Sequence, residues 1–220
     1  MEDAKGLRPP SLLEVIDARE EKEGARECLS HVLYIATTAD TASASDFHSE
    51  IISELHNRGK DQRVTGRLLV QDGVLLHYYE TGPTSSIALL RHLHNFSNEG
   101  KITSLRVLMS SEDVDRRHFG DWSCETVEPA DEEKVPVPES SSDETIELAF
   151  DVLSQMLKIA TGANASHQCP SKARLQSYAK SDAFFTLAKY LETFDGPISF
   201  ALESEASWPL QPVVDYRDVQ

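Results

Sequence analysis

The sequence predicts an α+β fold of the ferredoxin-like βαββαβ kind: a four-stranded sheet with two helices on one face, followed by a helical C-terminal extension. Three observations predict it. Short apolar runs alternate in a fixed order with stripes of helical period between residues 28 and 110. A Gln71-Asp72-Gly73 turn joins two such runs tightly enough to pair them antiparallel. An acidic, proline-bearing stretch then separates this unit from further helical stripes.

The first strand is read at Cys28–Ala36, where Val32-Leu33-Tyr34-Ile35 forms a continuous apolar run. Small polar residues come next. Ser45 or Asp46 is the expected cap of a helix carrying Phe47, Ile51, Ile52 and Leu55, and Gly59 is its expected stop. Val64–Val70 and Val74–Tyr79 are the two strands of the hairpin. Gly82-Pro83 breaks the chain, and Ser85 or Ser86 is expected to cap a second helix with Ile87, Leu90, Leu93 and Phe96 inward. Asn98 and Gly100 close that helix, and Ile102–Met109 is the fourth strand.

Four segments are expected along the chain. Residues 1–27 form a leader helix opened by a Ser11–Glu14 capping box, either a solvated helix or a short docking segment. The sheet domain spans 28–125, and 126–145 is an acidic linker rich in Asp, Glu, Pro and Ser. Residues 146–220 are a helical extension ending in a proline-containing tail with Trp208. Its first helix shows Ile146, Phe150, Leu153, Leu157 and Ala160; a second, Asp182–Phe194, shows Phe184, Leu187, Ala188 and Leu191. Two such helices rarely bury a core alone, so they are expected to lie on the sheet domain or on another surface.

The net charge of −16 disfavours nucleic acid and anionic membrane surfaces as partners, and leaves basic protein surfaces open. Three widely spaced cysteines, Cys28, Cys124 and Cys169, fit a reducing compartment. With no apolar run at the start and none of about 18 residues elsewhere, an intracellular location is expected. Elbow, phosphate-loop and Cys-x-x-Cys motifs are absent, and the eight histidines show no ligand spacing. His92 and His94, two apart on a helix, face different ways. No enzyme and no metal site are therefore expected. Two positions stand out. His77 lies between Leu75 and Tyr79 on one strand face, either satisfied in place or lining a slot between the helices. Trp122 comes after the last strand as a core aromatic closing the sheet.

Taken in order, Leu33-Tyr34-Ile35-Ala36, the run Val64-Thr65-Gly66-Arg67-Leu68-Leu69-Val70-Gln71-Asp72-Gly73, Tyr79-Glu80-Thr81-Gly82 and Arg117-His118-Phe119-Gly120-Asp121-Trp122 resemble the blue-light-sensing flavin (BLUF) domain. That resemblance implies a flavin between the two helices, with Tyr34, Asn57, His77 and Trp122 as the cofactor-binding residues if binding is retained. Several family positions differ. The switching glutamine falls on His77, the methionine on Cys124, and the asparagine on Gly59, with Asn57 two residues away. Thr81 replaces a glycine. A glutamine amide donates and accepts at once and can rotate, whereas histidine offers one donor and one acceptor on a rigid ring.

The resemblance therefore implies a fold kept and a photocycle lost, with no cofactor expected and FAD or FMN as the alternative. It extends to BLUF-like proteins of eukaryotic testis and cilia. On that footing the chain is expected to be a non-enzymatic scaffold in the cytoplasm or the axoneme of a cilium or flagellum. Its expected partners are other proteins, as subunits of a cytoskeletal assembly.

Overall fold

A computed structural model describes residues 28–58, 63–128 and 142–196, with Ser11 and Val15 as isolated positions. The expected leader helix, the Gly59 stop, most of the acidic linker and the proline-containing tail lie outside the described residues.

The predicted order holds. Strand β1 (Leu29–Thr37) leads to helix α1 (Thr41–Arg58), then strands β2 (Thr65–Gln71) and β3 (Val74–Thr81). Helix α2 (Pro83–Asn98) and strand β4 (Ser104–Val114) complete the βαββαβ unit. Strand β5 (Trp122–Thr126) and the two-residue β6 (Phe185–Thr186) widen the sheet to six strands, ordered β5-β2-β3-β1-β4-β6. The inner four are antiparallel, while β5 runs parallel to β2. Thus Trp122 does not stand after the last strand; it opens a fifth one, in register with Gly66.

Two glycines are required by the hairpin. Gly73 takes φ 78° at the turn, a conformation that costs glycine little. Gly66 has φ 139°, and a Cβ there would sit 2.2 Å from the Tyr78 carbonyl oxygen, so any side chain would strike the neighbouring strand.

Helix starts differ from the sequence reading. Helix α1 begins four residues before Ser45, because the Asp40 carboxylate accepts the Ser43 N–H at 3.1 Å and Ala42 and Ala44 extend the helix readily. The start of α2 uses no serine cap. Pro83 stands at its first turn, where a missing N–H costs nothing and the fixed φ suits the helix. Ser85 and Ser86 are buried inside α2, and Leu89, not Ile87, joins Leu90, Leu93 and Phe96 in the core.

Both faces of the sheet are covered. Helices α1 and α2 cover one face, burying Ile51, Ile52, Leu55, Leu90 and Leu93 against Val32, Leu68, Leu75 and Tyr79. The other face is covered by α3 (Ser142–Ala160), the short α4 (Ala165–Gln168) and α5 (Lys172–Lys180). Here Val152, Met156, Ile159, Leu175 and Tyr178 meet Leu33, Ile35, Leu69 and Leu76. Polar ties fix this layer. Gln71 donates to the Pro170 carbonyl at 3.0 Å, and Arg106 reaches the carbonyls of Ala179 and Phe184. Arg174, buried, bridges Tyr178 and Asp151 at 2.7 and 2.5 Å.

The extension departs from the sequence reading in two ways. The expected Asp182–Phe194 helix starts only at Leu187, as α6 (Leu187–Phe194). Residues 185–186 pair instead with the edge of β4, and the Thr186 hydroxyl caps α6 by accepting the Lys189 N–H at 3.2 Å. Helix α3 buries Ala149, Val152, Met156 and Ile159, while Leu153, Leu157 and Ala160 of the expected stripe pack partly buried against the same cluster. Ile146 and Phe150 of that stripe are 53% and 56% exposed, and Leu153 and Leu157 only half-buried. The apolar face of the helix is thus broader than the expected stripe and centred to one side of it.

Candidate functional site

The α1/α2 side of the sheet holds a line of polar side chains inside an apolar core. Tyr34 on β1 and His77 on β3 are register partners, so their side chains emerge side by side on the same face. Helix α1 supplies His48 from the stripe that includes Ala44, Ile51 and Ile52. Strand β5, laid beside β2, brings in Trp122. Tyr34, His48 and His77 are all fully buried, and Trp122 is half-buried.

The two ends of this line fix its direction. An indole N–H can only donate and a peptide carbonyl can only accept. Trp122 Nε1–H therefore donates to His77 Nε2 at 2.9 Å, and the neutral His77 carries its proton on Nδ1. That proton is given to the Tyr34 hydroxyl at 2.9 Å. Tyr34 donates in turn to His48 Nε2 at 2.5 Å, and His48 Nδ1–H ends on the Ala44 carbonyl at 2.5 Å. Every donor and acceptor along the line is used once. Burial keeps the members neutral. It lowers His48 to about 4. It lowers His77 well below its ordinary value, with His48 adding to the effect. It raises the Tyr34 phenol well above its own.

The space between α1 and α2 is occupied by side chains. Phe47 stacks on Phe96 with ring centroids 3.8 Å apart and planes within 10°. His48 lies against Tyr34, His77 and Phe47, and Tyr79 closes the side with a hydroxyl contact to Ser86 at 3.1 Å. A flavin needs a flat slot and a free polar edge in this place. The stacked phenylalanines stand between the two helices, and both nitrogens of His77 are engaged, so the residues as placed do not fit the group.

Of the residues expected at a cofactor site, the structure brings together Tyr34, His77 and Trp122. Asn57 stands apart, exposed near the end of α1. Cys124 is exposed on β5, and Thr81 is buried with a hydroxyl that has no hydrogen-bond partner among the described residues. The residue that sequence reasoning misses is His48. A signal for it exists: it lies four residues before Ile52 and seven before Leu55, on the apolar face of α1.

A family model described as testis-expressed protein 47 matches residues 28–195. Among solved structures, the chain is similar to the BLUF domain of BlrP1 at 14% identity, covering 69% of this chain and 90% of that one with a TM-score of 0.37. It is similar to BlrB, a BLUF protein in its dark state, at 16% identity, with 70% and 98% covered and a TM-score of 0.34. A bacterial light-regulated adenylyl cyclase shares 19% identity over 61% of this chain, with a TM-score of 0.37; the chain spans 40% of that protein's length.

The buried histidines predict a definite pH dependence. In the unfolded chain His48 titrates near 6.5 and in the folded chain near 4. The unfolded state therefore binds more protons between these values, and stability present above pH 6.5 is lost as pH falls towards 4, by roughly 3 kcal/mol for this group. His77 acts with the same sign. Denaturant midpoints from pH 7.5 to 4.5 are expected to fall more steeply for the wild type than for His48→Gln, whose amide can accept from Tyr34 without titrating. Equal slopes would show that His48 is not held neutral by the fold.

Proposed function

The chain belongs to the testis-expressed protein 47 family, and from that premise we propose that it is a non-enzymatic, BLUF-like scaffold that binds other proteins and carries no flavin. The closed hydrogen-bond line from Trp122 to Ala44 carries this reading. In a flavin sensor, the tyrosine and its polar neighbour must keep a hydrogen-bonding edge for the cofactor. Here His48 takes the bond that Tyr34 would offer, and Phe47 on Phe96 fills the neighbouring volume. A fully satisfied buried network makes a core specific and rigid rather than responsive.

The protein-binding part of the reading rests on the outer surface. Ile146, Phe150, Phe185 and Phe194 are each about half exposed, from 47% to 57%. Ile146, Phe150 and Phe185 line a cleft of about 400 Å³ with Met109 of β4. Apolar groups gathered in this way mark surfaces that meet other proteins. The excess of acidic residues suits a partner with a basic rim. No helix among the described residues is long and apolar enough to cross a membrane.

The first test is colour. Purified protein incubated with excess FAD or FMN and then desalted is expected to show no absorbance in the flavin bands. A retained flavin band, shifting under blue light, would instead make the chain a sensor with a modified network. We place the scaffold in the axoneme of a cilium or flagellum, a location supported by the testis-expressed family description. Detergent-extracted axonemes from expressing cells are expected to retain it, and its full release into the soluble fraction would remove that assignment.

A further inference from the structure

The second face of the sheet holds another polar cluster, unconnected to the line described above. His31 on β1 is the register partner of Glu80 on β3, so the two side chains stand adjacent beneath the C-terminal helices. The segment between β4 and β5 folds back over them and adds His118. Its ring meets that of His31 edge to face at a centroid distance of 5.5 Å. One ligand atom from each of His31, Glu80 and His118 lies within 4.8 Å of the other two.

From this arrangement we propose a divalent metal site, of the zinc class, formed by His31, Glu80 and His118. Two imidazoles and one carboxylate are the donor set that suits this ion, with a fourth position left for water. A tetrahedral ion with bonds of about 2.1 Å draws its ligand atoms to ~3.4 Å apart, and the exposed His118 ring can close that gap by turning.

Three features point to a ligand at this place. His31 is 5% exposed, and its buried Nε2 has no hydrogen-bond partner among the described residues. The backbone of Arg116 also approaches the ring as a polar neighbour, though outside hydrogen-bond geometry at Nε2. An orphaned imidazole nitrogen costs free energy unless something occupies it. The other nitrogen, Nδ1, is bonded to the Tyr78 hydroxyl at 2.9 Å, which holds the ring. Such a second contact is what metal-bound histidines generally have.

Glu80 is fully buried and held by several donors, with the Tyr78 hydroxyl also beside it. Oε2 accepts from the Thr65 hydroxyl at 2.7 Å and the Phe119 N–H at 3.2 Å, and Oε1 accepts from the His118 N–H at 2.7 Å. A carboxylate offers about four lone-pair directions, and an ion would compete with the Tyr78 hydroxyl for the one left beside these three bonds. The nearby Arg117 guanidinium donates to the Glu80 carbonyl and the Thr65 hydroxyl. The site would therefore clamp the 115–121 segment, and Trp122 after it, to the middle of the sheet.

The test uses the full chain with the exposed Cys28 and Cys124 changed to serine, so that surface thiols do not bind the metal. After stripping with chelator, Zn²⁺ is titrated against a chromophoric chelator, and Co²⁺ is added to read the visible bands of a four- or five-coordinate ion. One Zn²⁺ per chain is expected, with affinity reduced at least 100-fold in His118→Ala. That residue is exposed, so the variant is expected to fold. Zn²⁺ is also expected to raise the melting temperature of the parent and not that of the variant, while His92→Ala behaves as the parent. Absence of tight binding in the parent, or equal affinity in parent and His118→Ala, would overturn the site.

Discussion

The hydrogen-bond line Trp122–His77–Tyr34–His48–Ala44 is the constraint on which the α1/α2 side of the molecule depends. Four polar side chains stand in or at the edge of an apolar core, and each buried donor or acceptor left unmatched would cost about 1–3 kcal/mol. They are matched only when three separate elements meet the β1–β3 pair. Helix α1 must start early enough, at Asp40, to bring the apolar stripe with His48 over Tyr34. Strand β5 must run parallel to β2 to deliver the indole N–H. Gly66, in register with Trp122, must have no side chain, or β2 could not approach β3 there. The line thus sets the register of the sheet's far edge and the position of one helix at once.

The opposite face arises from a different necessity. Strand β1 is apolar on both sides: Val32, Tyr34 and Ala36 face α1 and α2, while Leu33 and Ile35 face away from them. A sheet of this kind needs cover on both faces. The C-terminal extension supplies it, anchored by Gln71, Arg106 and Arg174. Covering the sheet uses one side of α3. Ile146 and Phe150, at the start of that helix, remain turned outward beside β4 and β6. Helix α3 thus offers a packed side to the sheet and two exposed apolar side chains to solvent.

Much of this is legible in the residues. Periodicity and the Asp72-Gly73 turn give the βαββαβ order, and each predicted strand of the unit lies within a few residues of its observed place. Tyr34, His77 and Trp122 do meet. Tertiary fit decides the features that sequence does not show. Asn57 is a candidate only through the resemblance, two residues from the matching position, and it lies exposed near the helix end. A lone histidine among Ser and Glu reads as surface, yet the position of His48 on the stripe places it inside. The buried face of α3 is centred to one side of the expected stripe, and packing against Leu33, Leu69 and Leu76 decides where it lies. Helix α5 escapes a periodicity reading because its buried set is short, only Leu175, Tyr178 and Ala179 beside Arg174.

The most direct test of the closed line is the protonation state of its two histidines. Long-range proton–nitrogen correlation spectra of the ¹⁵N-labelled protein at pH 7 report which ring nitrogen carries the proton. Neutral His77 and His48, each protonated on Nδ1, are the expected result, since only that pairing lets Trp122 donate at one end and the Ala44 carbonyl accept at the other. A His77 protonated on Nε2, or either ring charged at that pH, would contradict the closed line and reopen the edge of Tyr34 to a cofactor.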